Sequence, residues 1–203
     1  MNINQKNNKL PLSYYSHNDV VFLAQDLLGK IIFTRIDNQI TSGMIVETEA
    51  YKSTNDMASH AYMNKRTNRN EMMYSEGGST YIYICYGVHH MLNIVTNKKN
   101  IPDAILIRAI EPLDGIKIMQ SRIPSNHTNK MTNGPGKLSK ALGINMDLNG
   151  SKLNNNKIWI ENNPNTSKIQ IIRKERIGIH YAGEDSKLPW RFYINKNKYI
   201  SKI

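Results

Sequence analysis

Alternation of hydrophobic and polar residues with a period of two dominates the middle of the chain. Runs rich in Val, Ile, Thr and Tyr show this pattern and predict strands over residues 30–35, 43–50, 80–86, 90–95 and 104–109. Shorter runs of the same kind predict strands near 158–160, 169–172 and 191–194. Turn-forming residues lie between several of these runs, so turns are expected to connect them.

Apolar residues with helical spacing occur in 19–28, 113–122 and 137–142. Either Ser16 or Asn18 precedes the first of these stretches as a candidate N-cap. Strands outnumber long helices, and the chain shows neither a repeat period nor a regular βαβ alternation. The sequence therefore predicts a mixed α+β, β-rich fold, in which helices surround a curved, largely antiparallel, open-barrel-like sheet.

The length of 203 residues suits a single domain, 1–203, that is large enough to bury a core. The Asn- and Lys-rich start, 1–11, lacks an apolar core and is expected to be a loose leader. The Asn-rich stretches 124–133 and 145–156 are expected to be surface loops and not linkers between domains.

The formal net charge is +11 and the sequence pI is near 9.6. Such a charge favours a polyanionic partner, with nucleic acid first and an acidic membrane surface second, because Lys and Arg that neutralise phosphates release counterions. A genome biased toward A and T, which enriches Asn, Lys and Ile, explains the same basicity. The charge alone therefore does not decide between partners.

Cys85 is the single cysteine of the chain. This excludes an internal disulfide, a cysteine zinc cluster and a cysteine-ligated iron-sulfur cluster, and it favours a cytoplasmic location. No stretch has the apolar length that a membrane span needs, so no membrane partner is expected.

Two carboxylates share one face of a predicted strand, because Glu47 and Glu49 are two residues apart. One of them could activate water, as the hydrolysis of a glycosidic bond requires. An edge strand whose acidic residues face solvent would show the same pattern. A metal-dependent nuclease would also fit, with the pair binding magnesium together with Asp56 or Asp103.

Aromatic residues concentrate around the turn that follows the predicted strand 80–86. Tyr81 and Tyr83 alternate on one face, and Tyr86-Gly87 begins a tight turn. Rings beside basic residues can stack on an unstacked base, although cross-strand packing in a core explains the same residues equally well. A nucleic-acid-binding module without catalytic activity would use these tyrosines, but it would have no need of Glu49.

The segment from Gly134 to Lys137 superficially resembles a phosphate loop. Leu138 stands where such a loop needs Ser or Thr to reach magnesium, which argues against a nucleoside triphosphate site. Gly136 and Lys137 lead into a predicted helix, so they are candidates for a contact with a DNA phosphate. A simple turn is the alternative.

Several ordered blocks of the chain closely resemble the alkyladenine, or 3-methyladenine, DNA glycosylase family. The resemblance extends from residue 19 to residue 193, and its Glu-Thr-Glu-Ala-Tyr and Tyr-Gly blocks are specific. The blocks are 44–51, 58–61, 69–70, 81–83, 86–87, Asn93, 106–112, 134–138 and 176–179.

This resemblance implies a monofunctional base-excision repair enzyme that acts as a monomer on double-stranded DNA. Such an enzyme extrudes an alkylated or deaminated purine, of the 3-methyladenine, 7-methylguanine, hypoxanthine and ethenoadenine class, and leaves an abasic site. It requires no metal and no nucleotide cofactor. Glu49 matches the general base of the family, and Arg108 with the backbone carbonyl of Ile177 would hold the attacking water.

The resemblance also implies how the damaged base is bound. Tyr51, His60 and Tyr83 match the walls that enclose the extruded base. Asn93 matches the pocket residue that clashes with the exocyclic amine of normal guanine, and Tyr86 matches the side chain that enters the space left in the duplex.

The chain departs from the family pattern at few positions. Asn68 stands where proline is usual, and Val88 and His89 replace the commoner Met and aromatic residue after Tyr-Gly. These changes affect the loop and the tip of the turn. Glu47 has no catalytic counterpart in the family, so a structural hydrogen-bonding role is expected for it.

Overall fold

The computed structural model describes residues 8–123, 130–164 and 169–201. These residues form a mixed α+β, β-rich domain, which confirms the predicted fold class. The strands are β1 Ile31–Ile36, β2 Gln39–Tyr51, β3 Thr80–Cys85, β4 His89–Thr96, β5 Asp103–Pro112, β6 Ile158–Glu161, β7 Ile171–Lys174 and β8 Arg191–Ile194. The α-helices are α1 Leu12–Tyr15, α2 Val20–Asp26, α3 Ile116–Arg122 and α4 Pro135–Leu142.

The strands form one antiparallel sheet in the order β3-β4-β5-β2-β1-β6, and the sheet is not closed. The long strand β2 is its centre. Its first half pairs with β1, its second half pairs with β5, and the segment from Glu47 to Glu49 also pairs with β8. A register irregularity against β5 lies at Glu47. This strand therefore carries both predicted carboxylates through the interior of the sheet.

Helix α2 packs on the sheet through Val20, Leu23 and Ala24, which are buried. Its N-cap is Asp19, whose carboxylate accepts hydrogen bonds from the N–H groups of residues 21 and 22 at 2.9 Å. The prediction of Ser16 or Asn18 as the cap was wrong. A carboxylate directly before the first helical residue can neutralise the free N–H groups and the positive end of the helix dipole.

The described end of the leader and one predicted surface loop are attached to the core. Residues 1–7 and 124–129 lie outside the described residues, whereas Leu10 is buried and its N–H donates to Ile160 O at 2.8 Å. In the predicted surface loop 145–156, Leu148 and Leu153 are buried against the sheet. Apolar side chains within these polar stretches attach them to the core.

No helix among the described residues is long and apolar enough to cross a membrane.

Candidate active site

The carboxylate of Glu49 is completely buried and is bound by three donors. The hydroxyl of Tyr51 donates to Oε2 at 2.9 Å, and Nη1 of Arg108 donates to the same atom at 3.2 Å. The backbone N–H of Ile177 donates to Oε1 at 2.8 Å. Since these donors come from β2, β5 and the segment after β7, the tertiary fold fixes the position of this carboxylate.

Arg108 lies between the two predicted carboxylates. Its Nε donates to Glu47 and its Nη1 to Glu49, each at 3.2 Å, which places both acids on one side of β2 as expected. Burial lowers the pKa of Arg108, but the neighbouring carboxylates of Glu49 and Glu47 outweigh it, so the pKa lies above its ordinary value. Glu47 is also bound by Arg191 and Ser201, in agreement with a structural role.

A cleft of about 560 Å³ opens in front of Glu49. The three donors to Glu49 line this cleft, so the carboxylate lies directly behind its wall. The structure brings the predicted base-binding and intercalating residues to the same cleft. They are Tyr51, His60, Tyr83, Tyr86 and Asn93.

His60 forms one aromatic wall of the cleft. Its ring contacts the ring of Tyr83 edge-on, with the centroids 4.7 Å apart, and its Nδ1 is 2.8 Å from the hydroxyl of Tyr81. Burial, together with the smaller effect of the charges of Arg69 and Lys65, lowers the pKa of His60 to about 4. The imidazole is therefore neutral at pH 7 and presents an uncharged face to the cleft.

Tyr51, the last residue of β2, contacts both Glu49 and a buried arginine. Burial and the charge of Glu49 raise the pKa of Tyr51 well above its ordinary value, so its hydroxyl remains a donor to that carboxylate. The guanidinium of Arg176 lies 4.8 Å from the centre of the Tyr51 ring. Asp56 binds the same guanidinium, which fixes the segment that carries the Ile177 N–H.

The amide of Asn93 is anchored at the back of the cleft. Its Nδ2 donates to the carbonyl oxygens of Tyr81 and Met91, each at 3.2 Å, and the residue is only 4% exposed. Two acceptors on one nitrogen hold the amide in one orientation. The side chain therefore forms a rigid part of the cleft wall.

Tyr86 is 91% exposed at the tip of the hairpin between β3 and β4. Tyr86 and Gly87 have φ of 51° and 72°, and Val88 N donates to Cys85 O at 3.2 Å across them. A bulky residue with positive φ is strained, and the exposed ring gains no packing. Such a residue at the edge of a cleft points to a binding role.

The N-terminus of helix α4 lies beside the same hairpin. Pro135 lines the cleft, and a Cβ on Gly136 would lie 2.9 Å from the ring of His89, so a larger residue would require that side chain to move. Lys137 is exposed, and its Nζ donates to Asn133 Oδ1 at 3.0 Å. These residues begin a helix, not a simple turn, and they adjoin the mouth of the cleft.

Two features of the site have no signal in the sequence pattern. The ion pair of Asp56 with Arg176 joins residues 120 positions apart, and Tyr181, which is 66% exposed, lines the rim of the cleft. Residue spacing could not have shown either of them, because both depend on the packing of distant segments.

The carboxylates that a metal-dependent nuclease would need each accept hydrogen bonds from other side chains. Glu47 and Glu49 bind Arg108, and Asp56 binds Arg176. Asp103 accepts a hydrogen bond from Asn97, and burial raises its pKa to about 6. Within the described ranges, no group of three or more His, Cys, Asp or Glu residues is placed to hold a metal ion.

Comparisons with known proteins identify the family of this chain. The family model described as "Methylpurine-DNA glycosylase (MPG)" matches residues 13–198. Three bacterial relatives each carry the name "Putative 3-methyladenine DNA glycosylase". The chain is 45% identical to the Chlamydia felis protein over 193 residues, which are 93% of this chain and 97% of that protein.

The matches to the other two relatives span a similar share of the chain. The Natranaerobius thermophilus protein is 42% identical over 196 residues, 95% of this chain and 98% of that protein. The Clostridium acetobutylicum protein is 39% identical over 203 residues, 96% of this chain and 98% of that protein. The chain belongs to the methylpurine-DNA glycosylase family.

Proposed function

We propose that the protein is a monofunctional DNA-3-methyladenine glycosylase of base excision repair. It extrudes an alkylated or deaminated purine from double-stranded DNA and hydrolyses the N-glycosidic bond, which leaves an abasic site. Membership of the family and the names of the relatives support this reaction class. The observation that carries the proposal is the Glu49 carboxylate, fixed by three donors directly behind a cleft with aromatic walls.

Glu49 activates the attacking water in this proposal. Oε1 accepts one hydrogen bond from described residues, that of the Ile177 N–H, so an acceptor position remains for water. Arg108, which lines the cleft and contacts Oε2, can orient the same water. The role of the Ile177 carbonyl as a second water ligand stays a prediction, since the observed contact of this residue with Glu49 uses its N–H.

A cationic lesion is already a good leaving group, so the enzyme does not need to protonate it. An alkylated purine leaves readily, and a buried carboxylate stabilises the oxocarbenium ion that develops on the sugar. A neutral lesion such as hypoxanthine needs a proton to leave. His60 does not supply this proton at neutral pH, because its lowered pKa of about 4 keeps it uncharged. We therefore assign His60 to the wall of the pocket.

The aromatic residues bind the extruded base and stabilise the distorted duplex. Tyr51, His60 and Tyr83 enclose the base, and the rigid amide of Asn93 excludes the exocyclic amine of guanine. Extrusion costs a few kcal/mol, and an aromatic ring contributes roughly 1 to 3 kcal/mol per stacked base. The exposed Tyr86 is therefore sufficient to replace much of the lost stacking.

The hairpin tip and the start of helix α4 define the surface that faces DNA. Lys137 and the N–H of Gly136 can bind backbone phosphate near the extruded nucleotide, with the helix N-terminus favouring the negative charge. The net charge of +11 supplies long-range attraction to the polyanion. In this proposal the enzyme acts as a monomer, without a metal or a nucleotide cofactor.

The proposal is tested with duplexes that each carry one hypoxanthine, ethenoadenine or 3-methyladenine. We expect release of free base and formation of abasic sites that break only after alkali treatment. Direct strand breaks, or loss of activity in EDTA, would instead support the nuclease. Duplex binding without base release from any of the substrates would support a non-enzymatic binding module.

A further inference from the structure

The last described residue, Ser201, packs against the buried carboxylate of Glu47 on β2. Ser201 is only 6% exposed, and both of its polar groups bind Glu47. Its backbone N–H donates to Oε2 at 2.6 Å and its hydroxyl donates to Oε1 at 2.8 Å. Ser201 is therefore part of the buried interior behind the cleft.

The hydroxyl of Ser201 also accepts a hydrogen bond from Nη2 of Arg108 at 3.4 Å. A serine hydroxyl has one proton and two acceptor positions, so it can donate to Glu47 and accept from Arg108 at once. Each guanidinium nitrogen of Arg108 then has its own acceptor, with Nε on Glu47, Nη1 on Glu49 and Nη2 on Ser201. Because the guanidinium is planar, the contacts of Nε and Nη2 fix the direction in which Nη1 points toward Glu49.

The buried charges around Ser201 balance. Two carboxylates, of Glu47 and Glu49, face two guanidinium groups, of Arg108 and Arg191, and every one of these residues is at most 6% exposed. Buried charges depend on complete pairing, since an unmade hydrogen bond is not replaced by water there. The loss of one donor to Glu47 should therefore also change the position of Arg108, which binds the same carboxylate.

The segment that carries Ser201 is itself anchored to the sheet. Asn197 Nδ2 donates to Oε2 of Glu111 on β5 at 2.8 Å, and Asn197 Oδ1 accepts the N–H of Tyr199 at 2.9 Å. Ser201 is thus held to β5 through Asn197 and to β2 through Glu47. This arrangement keeps its hydroxyl at one place relative to both strands.

We propose that Ser201 is a positioning residue for base excision, which acts through Glu47 to direct Arg108 toward Glu49. The inference rests on the glycosylase reaction proposed above. Ser201 is not among the residues that line the cleft, so it affects the reaction only through these partners. Its loss should therefore lower the rate of the chemical step and leave the binding of the duplex unchanged.

The test uses single-turnover excision of ethenoadenine by the full chain, over a range of enzyme concentrations. For Ser201→Ala we expect the maximal rate constant to fall by about tenfold, the loss typical of a hydrogen bond to a charged group, with an unchanged half-saturating concentration. Ser201→Thr, which keeps the hydroxyl, should restore most of the rate. Ser121→Ala, which removes an exposed hydroxyl on helix α3, is the matched control.

Three results would overturn the inference. The first is an unchanged maximal rate in Ser201→Ala, and the second is a loss that Ser201→Thr does not rescue. If Ser201→Ala folds poorly, Asn197→Ala serves instead, because it keeps every atom of Ser201 and removes only the side-chain contacts of Asn197 with Glu111 and Tyr199. An unchanged rate in Asn197→Ala is the third result. A wild-type protein that releases no base from any duplex would instead overturn the proposed function, and the inference with it.

Discussion

The guanidinium of Arg176 binds the carboxylate of Asp56 through two hydrogen bonds, of 2.5 and 2.8 Å, and both side chains are completely buried. The same guanidinium donates to Ala50 O at 2.9 Å. The pair therefore joins the end of β2 to the segment that follows β7. Since Ile177 comes directly after Arg176, this contact also places the N–H that binds Glu49.

Asp56→Asn should destabilise the protein strongly, because it leaves the buried charge of Arg176 without its partner. We expect the free energy of unfolding in urea to fall by about 3 to 5 kcal/mol. Glu184→Gln breaks an exposed pair with Lys187 and should cost less than about 1 kcal/mol. Equal losses in the two variants would show that the buried pair is not an anchor.

Glu49→Gln should keep the fold, because Arg108 retains the carboxylate of Glu47 as its charged partner, and it should keep the affinity for duplex DNA. We expect base release to fall by about 10² to 10⁴, because the amide has the shape of the carboxylate but cannot take a proton from water. Single-turnover excision of hypoxanthine measures the effect. Glu47→Gln should lower the excision rate per folded molecule less than Glu49→Gln does. An equal loss of rate in both variants would mean that the roles within the pair are wrongly assigned.

Asn93→Ala and Asn93→Ser should release more unmodified guanine than the wild type. The amide is held rigidly by two carbonyl oxygens, so its removal opens space that the exocyclic amine of guanine can enter. Free guanine released from an undamaged duplex is the measurement, with ethenoadenine release as the control for activity. Background guanine release with intact excision of the lesion would exclude Asn93 as the gate.

Tyr86→Ala should weaken base extrusion without destabilising the fold, because the ring is 91% exposed. The loss should be largest for well-paired lesions and smaller for lesions in mismatches, whose extrusion costs less. Ethenoadenine fluorescence reports the extrusion equilibrium in both contexts. Tyr86→Phe keeps the ring and should resemble the wild type, whereas an unchanged equilibrium in Tyr86→Ala would exclude intercalation.

His60 should make the stability of the protein depend on pH. Its pKa of about 4 in the folded chain lies below the ordinary 6.5, so between these values the unfolded chain binds more protons and stability falls as the pH is lowered. Asp103, with its pKa raised from 3.8 to about 6, opposes this trend, which makes a comparison of variants necessary.

His60→Gln should therefore lose less unfolding free energy than the wild type when the pH is lowered from about 7 to about 5. Urea unfolding at the two pH values measures the difference. His180→Gln, at an exposed histidine, is the matched control and should follow the wild type. Parallel losses in the wild type and His60→Gln would show that His60 is not the group that titrates.

The local sequence patterns were sufficient to predict most of the strands and helices. They gave the wrong first residue where contacts with a neighbouring segment set the start of an element. Strand β2 begins at Gln39, before the predicted start at residue 43, because Asp37 and Asn38 adopt positive φ and close a hairpin with β1. The Asp-Asn pair is a turn signal that could have been used. Helix α3 starts at Ile116, after its predicted start, since the preceding residues pair with Ser42 on β2.

The sequence by itself determined which side chains share a face and where the exposed turn lies. Side chains two positions apart on a regular strand lie on one face, so the spacing predicted that Glu47 and Glu49 lie together, and Arg108 binds both. The tertiary structure alone decided what binds them. Ile177 and Ser201 lie 128 and 154 positions from their acceptors, so these contacts form only when the packed sheet brings the distant segments to the buried carboxylates.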